Sequence, residues 1–201
     1  MKKIALIIIA AAIAAVTATG KVARRALSIF QPNVPETETI APETMEFVYD
    51  YSWCNDTTGM LEDNFTSDRM LLQIGPKGLS KFSSYKNLTV DSLLMNLSKE
   101  QLTEALMDNK LSNGELTTII KNYPAGRITH TEKICLDWFR DEEDMPMLEW
   151  ELTDSTGTVL GYECHQAKCS FRGREWTAYY TEEIPIMDGP WKLQGLPGLI
   201  M

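Results

Sequence analysis

Histidine is scarce: His130 and His165 are the only two in 201 residues, so imidazole chemistry has little material to work with. The chain also lacks a Gly-x-Ser-x-Gly elbow and a His-Glu-x-x-His pair, so it offers neither the usual nucleophile turn of a serine hydrolase nor the usual zinc-protease helix. Basic residues are outnumbered, 19 Lys and Arg against 28 Asp and Glu, for a formal charge of -9. Phosphate backbones require a basic stripe, so nucleic acid is a poor partner. Beyond the N-terminus no apolar run approaches the roughly 20 residues that cross a bilayer, and no internal repeat is visible. No catalytic constellation, metal-ligand set or cofactor motif emerges, and the reading is of a protein that is not an enzyme.

What is present begins with a leader. Lys2 and Lys3 precede an apolar run from Ile4 to Val16, followed by small residues around Ala18 and Gly20, the layout of a secretory signal peptide over residues 1–20. Its removal subtracts two positive charges and takes -9 to -11. The expectation is an exported protein of the periplasm, outer-membrane periphery or exterior, without a transmembrane span after cleavage. Residues 21–43, with Pro32, Pro35 and little apolar content after them, read as a tether, and the folded domain as 44–201.

Four cysteines in an exported chain read as disulfide material. Cys164 and Cys169 on one strand would lie roughly 16 Å apart on opposite faces, too far for a bond that needs Cα atoms within about 7 Å. Each is therefore expected to pair with Cys54 or Cys135, with free buried thiols and a local turn-closing bridge as the alternatives.

Phe47, Tyr49, Tyr51 and Trp53 alternate with smaller or polar residues, the period of a strand with one aromatic face. Segments 69–74 and 79–85 flank Gly75-Pro76-Lys77-Gly78 and read as a hairpin. Ser98-Lys99-Glu100-Gln101 has the form of a capping box opening a helix, and a shorter helical piece is expected over 90–97. Strand patterns return over 127–139, 147–152, 159–171 and 174–184, separated by an acidic loop at 141–144, by Asp154-Ser155-Thr156-Gly157 and by Gly173. The predicted fold is α+β, a mostly antiparallel curved sheet or open half-barrel with one or two inserted helices.

Arg172 and Arg174, two apart across Gly173, are expected to share a strand face and could clamp a carboxylate or phosphate; the competing reading pairs them with Glu182, Glu183 or Asp188. Trp176, Tyr179, Tyr180 and Trp191 read first as core and second as the lining of an apolar ligand site. Cys164, His165 and Cys169 would not converge on an ion, because strand neighbours point to opposite faces. The 141–144 run lacks the spacing of a calcium loop and reads as a solvated hairpin tip. Near the C-terminus, Gly189-Pro190 and Gly195-Leu196-Pro197-Gly198 read as turn elements, with a type II turn at Pro197-Gly198 placing Gly198 at positive φ.

From Gly161 onward the chain runs Gly-Tyr-x-Cys-x-x-Ala-x-Cys-x-Phe-x-Gly-Arg-x-Trp-x-Ala, then Glu183-Ile184-Pro185, Gly189-Pro190-Trp191-Lys192 and Gly195-Leu196-Pro197-Gly198-Leu199-Ile200. In these residues it resembles the GLPGLI family of exported bacterial proteins. The resemblance implies a Gram-negative envelope protein of mostly β structure and supplies no catalytic residues. Family members continue past the hexapeptide with further strands, so C-terminal strands are expected to be missing here.

Three functions follow as expectations. The first is a non-enzymatic module that binds a lipophilic small molecule or a partner segment in the concave side of its sheet. The second is an interaction protein pairing with an envelope partner through a sheet edge. The third is an enzyme using Asp188, Glu183 or His165 as acid or base beside the two arginines.

Overall fold

A computed structural model describes residues 39–54, 65–88, 98, 101, 114–134 and 137–201. The predicted leader, most of the tether and the helical piece expected over 90–97 lie outside the described residues; residues 85–88 are helical. From Ile40 onward the chain forms one compact unit.

The aromatic alternation does form a strand, β1 (Met45–Cys54), and it opens a six-stranded antiparallel sheet in chain order with β2 (Phe65–Ile74), β3 (Ser80–Ser84), β4 (Thr118–Lys121), β5 (Arg127–Ile134) and β6 (Asp137–Asp144). The expected β2–β3 hairpin is present. Gly75 N–H donates to the Leu79 carbonyl at 2.8 Å around a single 3-10 turn, Pro76–Gly78. A second sheet has the order β10-β9-β8-β7, built from β7 (Glu151–Val159), β8 (Tyr162–Phe171), β9 (Arg174–Thr181) and β10 (Leu199–Ile200).

Several boundaries differ from expectation: of 147–152 only Glu151 and Leu152 are strand, and the strand expected over 174–184 ends at Thr181. Residues 127–139 are not one strand: β5 ends at Ile134 and the chain reverses into β6, which pairs Ile134 with Asp137 and Arg127 with Asp144. The acidic run 141–144 is consequently strand rather than loop. Asp154 to Gly157, expected as a turn, lies inside β7, where the register passes from Leu152↔Ala167 to Thr156↔His165 and a bulge absorbs the two extra residues. The reversal comes later, at Leu160-Gly161, whose φ values of 51° and 90° suit a two-residue hairpin turn.

The capping box is real. Ser98 N–H donates to Gln101 Oε1 at 2.9 Å, Gln101 N–H donates back to Ser98 Oγ at 3.3 Å, and Gln101 is helical. The remainder of the expected helix lies outside the described residues. Among the described residues the fold is largely antiparallel β in two sheets, rather than the α+β half-barrel expected.

Strand pairing places Phe47, Tyr49, Tyr51 and Trp53 on the same face of the larger sheet as Met70, Leu72, Phe82, Ile119 and Ile128. Residues 184–201 close that face. Leu199 joins Met70, Leu72, Phe82, Ile119 and Ile128 in one core, with Ile184 and Ile186 packed against it. The next residue, Ile200, turns the other way and joins Leu193, Leu196, Ala167, Ala178 and Tyr180 on the smaller sheet. Alternation along a two-residue strand thus lets one segment fill two cores.

Candidate functional site

The C-terminal segment is held by a buried cation. Lys121, at the end of β4, is 1% exposed, and its ammonium pairs with the Asp188 carboxylate. It also donates to the carbonyls of Gly189 at 2.7 Å and Leu193 at 3.0 Å. All three protons are used, which is what a buried ammonium requires. Burial draws the Lys121 pKa down and Asp188 opposes that shift. Nearby, the Tyr49 hydroxyl donates to the Ile200 carbonyl at 2.7 Å, and burial, then the Asp188 charge, push its pKa up.

Glycine is needed at two close approaches in this segment. A Cβ on Gly189 would sit 2.6 Å from the Ile200 Cβ, and one on Gly198 would overlap the Thr181 carbonyl. Gly198 does not have the positive φ expected of a type II turn; its role is to let backbone meet backbone. Positive φ falls instead on Gly195, at 89°, and on Trp191, at 53°, inside a turn closed by Leu193 N–H to the Pro190 carbonyl at 3.1 Å. A left-handed tryptophan costs on the order of 1 kcal/mol, and here its ring is held on both sides. Trp176 stacks on it with centroids 5.2 Å apart, and Phe171 lies at 5.7 Å.

The five residues expected to bind a ligand do not converge. Arg172 and Arg174 share no strand face, because Arg172 and Gly173, at φ 54° and 73°, form the β8–β9 turn. Arg172 pairs with Glu143 of β6, rather than with Glu182, Glu183 or Asp188, and the same carboxylate holds Lys192. Arg174 is exposed at the start of β9. Trp176 donates its indole N–H to the Phe171 carbonyl at 3.1 Å and, with Trp191, packs against the core of the smaller sheet. Tyr179 turns elsewhere, its hydroxyl accepting from Gln166 Nε2 at 2.7 Å.

The acid and base candidates are equally dispersed. Asp188 is neutralised by Lys121, Glu183 Oε1 accepts from Glu163 N–H at 3.2 Å, and His165 lies against Tyr180 at 5.8 Å. Cys164 and Cys169 are buried free thiols, in place of the expected bridges. They stand opposite Gly157 and Trp176 in the smaller sheet, whereas Cys54 ends β1 in the larger one. Burial raises both thiol pKa values, the reverse of what a reactive cysteine needs. Cys135 lies outside the described residues. Among the described residues no group of three or more His, Cys, Asp or Glu could hold a metal ion, and no helix is long and apolar enough to cross a membrane.

A different region is open. Beyond Tyr49 the aromatic face of β1 outruns the core, and Tyr51 and Trp53 stack on each other at 5.0 Å and 29°. Beside them lies a hollow of about 400 Å³ lined by Trp53, Thr66, Asp68, Lys86, Glu115 and Glu132, among others. Asp68 organises its floor, its Oδ2 accepting from Glu115 N–H at 2.7 Å. Among the described residues, β1 stands at the edge of the strand order and is ten residues long. The aromatic alternation was visible in sequence. That its outer half would lie beyond the buried core was not, because the core is closed by a segment more than 130 residues away in the chain.

The family description "Protein of unknown function (Porph_ging)" matches residues 171–201, the stretch that ends in the hexapeptide. No curated protein matches the chain. Among solved structures, two crystal forms of PNGF-II, in space groups C2 and P21, are similar at TM-score 0.48 and 14% identity, over 78% and 77% of this chain. The similarity spans 24% of each of those chains.

Proposed function

We propose that this chain is an exported, non-enzymatic envelope protein of the GLPGLI family, and that it binds an extended segment of a partner protein along β1. The observation that carries the reading is the exposed end of β1, where a ten-residue edge strand presents a stacked Tyr51–Trp53 pair outside the core. An edge strand offers unpaired N–H and C=O groups to an incoming strand, and its side chains add specificity. The interior is a weaker candidate for a lipophilic molecule, since residues 184–201 already fill both cores. Against an enzymatic reading, Asp188, Glu183 and His165 do not come together in one cleft among the described residues. The leader, the acidic balance and the C-terminal match support an envelope location.

The test is native purification of the full-length mature protein from the cell envelope, followed by mass spectrometry of what stays bound. A partner retained by the wild type and lost from Tyr51→Ala/Trp53→Ala, at unchanged thermal stability, is the expected result. Equal retention by both proteins overturns the reading.

A further inference from the structure

Charge does not select what the open end of the larger sheet binds. The hollow beside Trp53 is lined by Lys86 and Lys133 as well as by Asp68, Glu115 and Glu132, and Asp68 already accepts the N–H groups of Arg69 at 2.8 Å and Glu115 at 2.7 Å. The edges themselves are more selective. Among the described residues the two sheets end in β1, β6, β7 and β10. β6 carries Asp137, Asp141 and the run Glu142-Glu143-Asp144, β7 is interrupted by its bulge between Leu152 and Thr156, and β10 is two residues long. Each of these features keeps an edge from pairing. β1 shows none of them: its register with β2 runs unbroken over ten residues, and its two carboxylates, Glu46 and Asp50, both stand in the outward column. The inward column, Met45, Phe47, Tyr49, Tyr51 and Trp53, is aliphatic or aromatic throughout.

Resting on the strand-addition reading above, we infer that the partner segment is an amphipathic strand, with a large apolar side chain at every second position on the inward side and polar side chains between. A strand laid beside β1 sets its inward side chains against that column and its outward ones against Glu46, Asp50 and Ser52. The ten residues of β1, at about 3.3 Å each in a sheet about 10 Å thick, give an edge of about 330 Å². A stable complex buries roughly 800 Å² per partner, more than twice as much. Backbone bonds along the edge are therefore too little by themselves, and inward side chains must reach past the edge onto the column, where Met45 and Tyr51 are exposed. A strand polar on both sides would gain the edge alone. One apolar on both sides would set apolar groups beside the Glu46 and Asp50 carboxylates and leave them in water.

Three peptides of roughly nine residues, about the length of β1, separate these cases, each with a short polyethylene-glycol tail for solubility. In the first Leu alternates with Thr, in the second the same residues stand in two blocks, and the third is the first N-methylated along its backbone. Each is titrated by calorimetry into the full-length mature protein. The alternating peptide is expected to bind at least about tenfold tighter than the blocked one, to lose about tenfold in Tyr51→Ala/Trp53→Ala, and to lose binding on methylation. Equal binding of the alternating and blocked peptides, with the methylated one silent, overturns the amphipathic inference and leaves strand addition standing. Methylated-peptide binding as tight as that of its parent overturns both, as does binding of none of the three. Alternating-peptide binding that survives Tyr51→Ala/Trp53→Ala unchanged places the contact elsewhere and likewise overturns both. In sedimentation of the protein alone, a dimer lost in the same double variant would mean that a second copy occupies the edge, and this too overturns the inference.

Discussion

One face of the six-stranded sheet meets two different fates. Around Met70, Phe82 and Ile128 it is covered by residues 184–201, and each charge drawn inside is answered: Lys121 by Asp188, and Lys192 by Glu143. Around Tyr51 and Trp53 the same alternation of residues continues, yet the rings stack on each other beyond both buried cores, and on the same face Asp137 and Asp141 of β6 stand in exposed strand positions. Alternation decides which side chains share a face. A covering segment decides whether that face is core or surface.

The comparison is broken most severely at Lys121. Lys121→Met removes a cation that three groups share and leaves Asp188 buried without its partner, so a loss of about 3–5 kcal/mol is expected in urea unfolding. Replacing both residues, Lys121→Met with Asp188→Leu, should recover most of that loss, because a buried ion pair and a packed apolar pair are nearly equivalent. A single mutant that loses under about 1 kcal/mol would mean that the C-terminal segment is held by its apolar contacts alone.

Gly198→Ala tests the same closed region through space rather than charge. The added methyl meets the Thr181 carbonyl, so β10 must move away from β9, at an expected cost of about 1–3 kcal/mol. Gly173→Ala is the contrast. Nothing lies near its Cβ, and its cost, about 1 kcal/mol, comes from the positive φ of 73°. Equal losses at the two positions would remove the distinction between a glycine of close approach and a glycine of conformation.

Local patterns in this chain were readable where neighbours in sequence settle them. The β1 alternation, the turn at Gly75 to Gly78 and the reciprocal Ser98–Gln101 cap all depend on residues within a few positions. Lys121 was not readable as a pin: a lysine ending Thr118-Ile119-Ile120 looks like a strand leaving for water, and its partners lie 67 and more residues onward. The arginines misled for the same reason. Two residues apart implies one face only inside a strand, and Arg172-Gly173 is a turn. Glu143, which holds Arg172 and Lys192, stood in a run whose composition resembled a loop, because β6 is an edge strand and edges carry charge.

At the open end, stability and binding should come apart. Tyr51→Ala/Trp53→Ala removes two stacked rings outside the buried cores, so the unfolding free energy is expected to change by no more than about 1 kcal/mol while partner retention is lost. A larger destabilisation would show that the pair belongs to the core after all, and the contrast between the two ends of the face would fall.

The smallest expected effect lies between the two ends. His130 faces inward beside Ile128 and Glu132, and burial, then the Lys192 charge, draw its pKa below the usual 6.5. As pH falls below 6.5, the unfolded chain takes up a proton that the folded site resists, so stability declines until His130 is protonated in the fold as well. His130→Asn removes that titration and should flatten the stability profile in this window, read from urea midpoints at a series of pH values. Glu132, Glu143 and Asp141 all pull the other way, which is why the effect is small. If the wild type instead gains stability as pH falls through this range, the carboxylates of Glu132, Glu143 and Asp141 outweigh burial and Lys192 at this position.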